Sequence, residues 1–279
     1  MQKKFWKMHG IGNDYIYFDC FEWQPNDPAS LAITLSDRHF SVGGDGVVLI
    51  LPSSVADARM RMFNADGSEG KMCGNAIRCI GKFLYEIKEM RKPVLTVETL
   101  SGIKTLSLDV SDGVVRAVRV DMGKAELSPA RIPAKFEGER VVNAPLSVNG
   151  AEYRVTCVSM GNPHCITFVE DPYALDLEKI GPAFEHHPAF PERVNTEFVR
   201  VDGRNELTMR VWERGSGETW ACGTGACAVA VAGVLGGFCD AGADITVHLR
   251  GGDLVISYTP DVVFMTGPAA FAFTGEVEI

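Results

Sequence analysis

The sequence has neither a long apolar run nor an excess of positive charge. Its most apolar stretch, residues 226–238, is shorter than the ~20 residues that a membrane-spanning helix needs. The net charge is −9, whereas a nucleic-acid-binding protein presents a cationic surface to phosphates. The one compact basic group, residues 88–92, is interrupted by Glu89 and Met90 and is interpreted as the solvated end of a helix. We therefore expect no membrane and no nucleic acid as partner.

Export signals, zinc motifs and phosphate-binding loops are also missing. Polar residues interrupt the stretch that follows the N-terminal lysines, so we expect no signal peptide and a cytoplasmic protein. The eight cysteines are then expected to be free thiols. No CxxC pair occurs, and neither GxGxxG nor a Walker lysine follows a strand, so we expect no metal and no dinucleotide. The 279 residues, 46% of them hydrophobic, suffice for one large domain or two ordinary ones.

The chain repeats itself at an offset of 149 residues. This offset aligns Met60–Phe63 with Met209–Trp212, and Cys73–Asn75 with Cys222–Thr224. Further matches in the same register are Gly12-Asn13 with Gly161-Asn162, Gly46 with Asn195, and Asn64 with Glu213. Separated matches in one register, without an insertion between them, predict two homologous halves.

Each half contains predicted strands and one predicted central helix. The helix that follows Cys73 has an apolar stripe over 76–87, which is typical of an amphipathic helix. The helix over 226–235 is apolar all round and is predicted to be buried, with Gly236 and Gly237 ending it. We expect an α+β fold of two homologous halves, each a mostly antiparallel sheet wrapped round a central helix. The predicted strands are 46–51, 94–98, 114–120, 155–158, 165–169 and 244–249.

The predicted boundary between the halves lies at residue 121. Residues 1–121 form the N-terminal half, to which the C-terminal return 268–279 is added. Residues 122–267 form the C-terminal half, beginning with a proline-containing crossover over 121–150. We expect the active site in the cleft between the two halves.

A cysteine followed by glycine stands at the start of each predicted central helix. The positive end of a helix dipole favours thiolate over thiol there, and the N–H groups of the first turn bind a carboxylate. If Cys73 and Cys222 face one α-carbon from opposite sides, one thiolate removes the proton and the other thiol delivers one. The pattern thus predicts stereoinversion by two bases matched near neutral pH, without pyridoxal phosphate or another cofactor. The carboxylate-binding N–H groups belong to Gly74, Asn75, Gly223 and Thr224.

A cysteine-nucleophile hydrolase is the alternative from another reaction class, with His164 or His9 as its base. It does not explain why the cysteine is duplicated. His39 is interpreted as structural. The remaining cysteines are interpreted as small buried residues: Cys20, Cys79, Cys157, Cys165, Cys227 and Cys239.

The motifs resemble those of diaminopimelate epimerases, in order and nearly from end to end. The matching segments are 8–14, 37–46, 64–78, 161–164, 192–195 and 213–227. Two positions depart from the family's usual pattern: Ala76 replaces a glycine, and Gly46 lacks the side chain that a glutamine would supply.

The resemblance implies interconversion of L,L- and meso-diaminopimelate in lysine and peptidoglycan precursor synthesis. Cys73 is the expected proton donor and Cys222 the expected acceptor in one direction, while His164 and Glu213 tune the two cysteines. The distal ammonium is expected to meet asparagine oxygens and Glu213, and the distal carboxylate to meet Arg214. The residues expected to hold the substrate are Asn13, Asn64, Asn162, Asn195, Glu213 and Arg214.

Three other functions remain as alternatives on the same scaffold. Proline and hydroxyproline racemases typically have histidine two places after the first cysteine, where this chain has Asn75. A phenazine-biosynthesis-type isomerase usually lacks the cysteine pair. A non-catalytic amino-acid-binding protein would not exchange the α-hydrogen of its ligand. A homodimer is the candidate assembly, and oxidation is expected to join Cys73 to Cys222 if their Cα atoms come within about 7 Å.

Overall fold

The computed structural model describes all 279 residues, which form four α-helices and eighteen β-strands. The helices are Pro28–Ser36 (α1), Gly74–Glu86 (α2), Leu177–Glu185 (α3) and Gly223–Leu235 (α4). The first nine strands are Gln2–Gly10 (β1), Asn13–Asp19 (β2), Gly46–Leu51 (β3), Ala58–Asn64 (β4), Glu69–Gly70 (β5), Val94–Thr99 (β6), Gly102–Ser111 (β7), Val114–Gly123 (β8) and Ala144–Val148 (β9). The others are Ala151–Ser159 (β10), Pro163–Phe168 (β11), Asn195–Gly203 (β12), Glu206–Glu213 (β13), Gly217–Thr219 (β14), Asp244–Leu249 (β15), Gly252–Tyr258 (β16), Val263–Gly267 (β17) and Ala270–Glu278 (β18). No helix combines the length and the apolar character that crossing a bilayer requires.

The chain divides into two compact units. The N-terminal unit comprises Met1–Asp121 with Thr266–Ile279, and the C-terminal unit comprises Met122–Met265. In the N-terminal unit, β18, β1 and β2 are antiparallel neighbours, and β3 then joins β2 in parallel. β4 is antiparallel to β3 and β5 and parallel to β6, and β6, β7 and β8 continue the sheet antiparallel.

The C-terminal unit repeats this pairing pattern strand for strand. β10 and β11 are antiparallel, β12 joins β11 in parallel, and β13 is antiparallel to β12. The short β14 pairs antiparallel with β13, β15 joins β13 in parallel, and β16 is antiparallel to β15. The expected α+β fold of two homologous halves with mostly antiparallel sheets is therefore confirmed. All six predicted strands are present, and 46–51 and 244–249 have the predicted bounds.

The central helices α2 and α4 are buried against the sheet of their own unit. Every residue of α2 from Gly74 to Leu84 is buried, including Arg78 and Lys82. The predicted amphipathic helix is therefore present, but its polar side chains are enclosed by the protein for most of its length rather than exposed to solvent. Arg78 is tolerated inside because carbonyl and amide oxygens accept its N–H groups, and Lys82 donates to Val115 O at 3.0 Å. The predicted burial of α4 is confirmed through Gly233.

The other helix of each unit packs on a second apolar cluster. In the N-terminal unit, Ala32 and Leu35 of α1 join Phe18, Val47 and Phe63. In the C-terminal unit, the corresponding cluster gathers Leu177 and Phe184 of α3 with Phe198 and Trp212. The strands between two helices are thus apolar on both faces, as the fully buried β3 shows. Helices packed on both faces of these strands hold the ends of β4 and β13, where the cysteine motifs begin, in fixed positions.

Candidate functional site

Cys73 is the N-cap residue of α2. The chain reaches this position through the hairpin formed by β4 and the short strand β5. Cys73 itself has an extended backbone conformation, with φ −130° and ψ 122°. Its half-buried sulfur accepts a hydrogen bond from Ala76 N at 3.5 Å. Gly74 and Asn75 are the first two residues of the helix, whose N-terminal N–H groups have no carbonyl partner within the helix itself. The sulfur and a potential carboxylate-binding turn are therefore adjacent.

Asn13 connects Cys73 to a group of charged residues. Its Oδ1 lies 3.4 Å from Cys73 Sγ and 3.3 Å from Asn75 Nδ2 and accepts from both. Its Nδ2 donates to Asp45 Oδ2 at 2.7 Å, and Arg38 in turn donates to Asp45 Oδ1 at 2.9 Å. Asp45 and Arg38 thus fix which end of the Asn13 amide faces the sulfur.

Asp14 belongs to the same charged group and lies next to Asn13 in β2. Arg38 donates to both of its carboxylate oxygens, and Lys7 forms an ion pair with it. Burial alone would raise the pKa of Asp14, but the hydrogen bonds from Arg38 and Lys7 outweigh it and lower that pKa. Asp14 is therefore a carboxylate that anchors the strand behind the site.

Asn64 ends β4 and faces the turn that leads to Cys73. Its Nδ2 donates to Ser68 Oγ at 3.0 Å, and its backbone N–H donates to Ser68 O at 2.9 Å. Across the β3–β4 ladder it lies opposite Gly46. The side chain is only partly buried, so its amide oxygen is available to a ligand amine.

Cys222 is the N-cap residue of α4, the position equivalent to Cys73. It has an extended backbone conformation, with φ −115° and ψ 103°. The sulfur lies 3.6 Å from Thr224 Oγ1. Only 4% of Cys222 is exposed, so it is the more deeply buried of the two cysteines.

The environment of Cys222 opposes the thiolate, contrary to the expectation from the helix dipole. Burial, followed by the nearby carboxylates of Glu213 and Glu197, raises the pKa of the Cys222 thiol well above its ordinary value. A hydrogen bond from Thr224 and one from the N–H of Gly225 act in the other direction but are weaker. The prediction that helix position alone matches this thiol to neutral pH is therefore wrong for the ligand-free protein, because desolvation exceeds the effect of the helix N-terminus.

His164 and Asn162 lie behind Cys222 in a hydrogen-bonded chain. Asn162 Nδ2 donates to Thr224 Oγ1 at 3.2 Å, and Asn162 Oδ1 lies 3.1 Å from His164 Nε2. His164 Nδ1 lies 2.6 Å from Glu197 Oε1, and both of these side chains are fully buried. Parallel pairing of β11 with β12 produces this contact by placing His164 opposite Asn195, two residues before Glu197.

Glu213, Arg214 and Asn195 meet at the end of β13. Asn195 Oδ1 accepts from Arg214 N at 2.9 Å, and Arg214 Nη1 donates to Glu192 O at 2.9 Å. Burial raises the pKa of Glu213, although Thr219 and Cys222 donate hydrogen bonds to its carboxylate. A partly buried carboxylate of this kind favours a cationic ligand group, since an ammonium would compensate its charge.

The structure brings the predicted residues together within each unit. Asn13 and Asn75 are hydrogen-bonded around Cys73, whereas Asn162 and Thr224 are linked beside Cys222. His9 lies elsewhere in a turn, where its Nδ1 accepts from Gly12 N at 3.3 Å.

Three participants were not singled out as site residues from the sequence. They are Asp45, Arg78 and Glu197, which contact site residues rather than lying in a cysteine motif. A charged residue inside an otherwise apolar strand or helix was the available signal for Arg78 and Glu197. Nothing in the spacing revealed that Asp45 holds Asn13.

Known proteins similar to this chain belong to the family that its motifs resemble. The sequence profile described as diaminopimelate epimerase matches residues 5–128 and 156–272. A diaminopimelate epimerase from Acetivibrio thermocellus is 54% identical over 278 residues, which is 99% of each chain. One from Methanococcus maripaludis is 52% identical over 278 residues, covering 99% of this chain and 100% of the relative.

Solved structures with low identity share the fold. A phenazine biosynthesis protein of the PhzF family from Bacillus anthracis has a TM-score of 0.72 at 17% identity, with 100% of both chains covered. A hydroxyproline epimerase from Agrobacterium vitis has a TM-score of 0.68 at 16% identity, covering 99% of this chain and 91% of that one. At such identities the likeness concerns architecture alone, whereas the two diaminopimelate epimerases are more than half identical to this chain over nearly its full length. The chain belongs to the diaminopimelate epimerase family.

Proposed function

We propose that this protein interconverts L,L- and meso-diaminopimelate by a two-base mechanism with Cys73 and Cys222 as acid and base. The observation that supports this most directly is the equivalent placement of the two cysteines. Each is the N-cap of the buried central helix of its unit and is followed by glycine. Homologous halves that each present one thiol supply what stereoinversion needs, namely one proton acceptor and one proton donor.

The proposed step moves one proton at each face of the α-carbon. A thiolate takes the α-proton and becomes a thiol, and the electron pair of the broken C–H bond passes into the carboxylate, giving an enediolate-like species. The opposite thiol then delivers its proton to the other face and becomes a thiolate. The N–H groups of Gly74 and Asn75, and of Gly223 and Thr224, stabilise the charge that develops on the carboxylate oxygens. No cofactor enters this reaction.

The raised pKa of Cys222 is compatible with this role. A substrate ammonium near Glu213 would compensate one of the two carboxylates that oppose the thiolate. Substrate binding then activates the base, while the ligand-free protein keeps Cys222 as a less reactive thiol. Reactivity is thereby coupled to occupancy of the site.

The distal amino-acid end of the substrate is assigned to the polar residues around Arg214. The guanidinium is proposed to bind the distal carboxylate, and Glu213 with the oxygens of Asn64 and Asn195 to bind the ammonium. Asn13 and Asn162 complete the set next to the two cysteines. Asn195 already fixes the backbone of Arg214, so binding of the remote end would orient the reacting carbon.

The wider setting is proposed on the same basis. The substrate is a small diamino-dicarboxylate, the reaction belongs to lysine and peptidoglycan precursor synthesis, and the protein acts in the cytoplasm, with a homodimer as its assembly. Light scattering coupled to size-exclusion chromatography tests the last point: a mass of twice 30.3 kDa is expected, and a mass of 30.3 kDa would contradict it.

The function is tested by proton NMR of the reduced protein with L,L-diaminopimelate in D2O, without added cofactor. We expect loss of the α-proton signal and appearance of the meso isomer. Cys73→Ser and Cys222→Ser should each slow epimerisation by at least about 10²- to 10⁴-fold, while Cys20→Ala is the control that keeps activity. Absence of exchange with confirmed free thiols would contradict the substrate, and exchange of proline or hydroxyproline instead would indicate a racemase of that class.

A further inference from the structure

The two units hold their equivalent asparagines in opposite senses. Asn13 donates through Nδ2 to Asp45 at 2.7 Å and turns its oxygen toward Cys73. Asn162, its counterpart at the offset of 149, donates through Nδ2 to Thr224 at 3.2 Å and turns its oxygen toward a histidine. Cys73 therefore faces an amide oxygen, whereas Cys222 faces the hydroxyl of Thr224, which already accepts a hydrogen bond from an amide N–H.

The direction of these bonds fixes a hydrogen on His164. Asn162 Oδ1 can only accept, so His164 Nε2 donates across the 3.1 Å contact. The other ring nitrogen lies 2.6 Å from Glu197 Oε1, and one proton lies between these two atoms. Both side chains are fully buried, and Glu197 Oε2 has no protein partner. A buried carboxylate in this position needs that shared proton, because an isolated charge there would be strongly destabilising.

Thr224 transmits this polarity to the sulfur. A hydroxyl has one hydrogen, and Thr224 Oγ1 already accepts from Asn162, so the hydroxyl hydrogen is available to Cys222 Sγ at 3.6 Å. We propose that Glu197 is a positioning residue for Cys222: it holds the hydrogen on His164 Nε2, and the asparagine–threonine relay passes this polarity to the sulfur and stabilises its thiolate. The proposal rests on the proposed function only in taking Cys222 as an acid–base group.

The groups that face Cys222 make the relay distinguishable from a simple charge effect. Glu213 on β13 and Glu197 on β12 both oppose the thiolate by their charge, whereas Thr224 and the N–H of Gly225 on α4 favour it. Removing the charge of Glu197 would therefore lower the titration midpoint of Cys222 if charge alone mattered. Weakening the relay raises that midpoint, because Nε2–H of a neutral imidazole is a weaker donor than that of an imidazole sharing a proton with a carboxylate.

The N-terminal unit supplies an internal control. At the offset of 149, Tyr15 and Val48 occupy the positions of His164 and Glu197, so this unit has no equivalent proton-sharing pair. The relay should consequently affect Cys222 and leave Cys73 unchanged.

The test is peptide-resolved alkylation of the two thiols across pH, in the full chain and without substrate. Four proteins form a double-mutant cycle: the native chain, Glu197→Gln, Thr224→Val and the double variant. We expect Glu197→Gln to raise the alkylation midpoint of Cys222 by about 0.5 to 1 unit and to leave that of Cys73 in place. In the Thr224→Val background the same substitution should cause no rise.

A lower midpoint, an equal shift in both backgrounds, or an equal shift of both thiols would overturn the relay. Circular dichroism and melting temperature establish that the isosteric variants are folded. Histidine-selective ¹⁵N NMR of the native chain tests the proposal without any variant: we expect a hydrogen on His164 Nε2, and an Nε2 without hydrogen would refute it. Neither measurement uses diaminopimelate, so failure of the relay and failure of the proposed function are separate results.

Discussion

The carbonyl oxygen of Phe63 occupies the space in which Gly46 would carry a side chain. A Cβ built on Gly46 would lie 2.0 Å from Phe63 O and 2.8 Å from Tyr15 Cε1. Phe63 immediately precedes Asn64, which pairs with Gly46 across the β3–β4 ladder. In this structure a glutamine side chain at position 46 would therefore collide with the backbone of the neighbouring strand.

Gly46→Ala is expected to be among the most destabilising substitutions in the protein. The neighbour that must move is a backbone carbonyl in a buried ladder, so we expect a loss of about 4–5 kcal/mol in the free energy of unfolding. Gly113→Ala is the matched control. It has φ +75° in a turn but nothing within 4 Å of the new Cβ, and it should cost only about 1–2 kcal/mol. Urea unfolding measures both, and equal losses would contradict the close approach at Gly46.

Stability should decline in alkaline solution because several buried groups resist deprotonation. Burial raises the pKa of Cys20 to about 12 and that of Cys79 to about 11, from an ordinary value near 9. Cys165 and Cys222 are raised well above the same value. Above pH 9 the unfolded chain loses these protons while the folded protein keeps them, so stability is complete below that pH and falls as the pH rises. Each group contributes up to about 1.4 kcal/mol per pH unit.

Cys20→Ala isolates one of these contributions. Urea unfolding under reducing conditions at several pH values between 8 and about 11 should give a shallower decline for this variant than for the native chain. The slopes of the unfolding free energy against pH should differ between the two proteins by nearly the value that corresponds to one bound proton. Parallel declines in the two proteins would show that Cys20 ionises equally well in the folded and unfolded states.

The internal repeat of the sequence predicted the architecture better than it predicted the local environment of the site. The repeat that aligns Cys73 with Cys222 follows from residue identities alone, and the structure shows the same strand pairing in both units. Burial of α2 was missed because Arg78 and Lys82 read as a polar face, whereas they are satisfied by oxygens inside the protein. The sequence was enough to predict that a helix N-terminus favours the thiolate of Cys222. The desolvation that raises the pKa of this thiol depends on contacts that only the folded chain creates.

Glu213 should determine an acid limb in the pH dependence of kcat/KM. Its pKa is raised from 4.5 in the ligand-free protein, primarily by burial. As the pH falls through this raised value, the carboxylate becomes neutral and loses its attraction for the substrate ammonium. We expect kcat/KM to decrease on an acid limb whose midpoint lies above 4.5, while kcat is less affected because the bound ammonium restores the charge.

Glu213→Gln should remove this limb and reduce kcat/KM at neutral pH by about 10- to 100-fold. Glu218→Gln is the matched control, since Glu218 pairs with Arg210 at 2.8 Å and is not part of the proposed substrate set. The measurement is the steady-state pH profile of kcat/KM for the native chain, Glu213→Gln and Glu218→Gln. A limb that persists in Glu213→Gln would assign it to another group.

Mild oxidation should inactivate the enzyme reversibly by joining Cys73 to Cys222. Two sulfurs that act on one α-carbon must come close together in the working protein, and a disulfide forms when the Cα atoms lie within about 7 Å. All eight cysteines are free thiols, and Cys73 is the one that is not buried, so oxidation should begin at Cys73 and then join it to Cys222. Diamide treatment followed by peptide mapping should identify the 73–222 crosslink, and dithiothreitol should restore activity. Cys73→Ser under the same treatment should keep a free Cys222, because its partner is gone. Full activity after oxidation, or a crosslink between other cysteines, would contradict the convergence of the two sulfurs that the two-base mechanism requires.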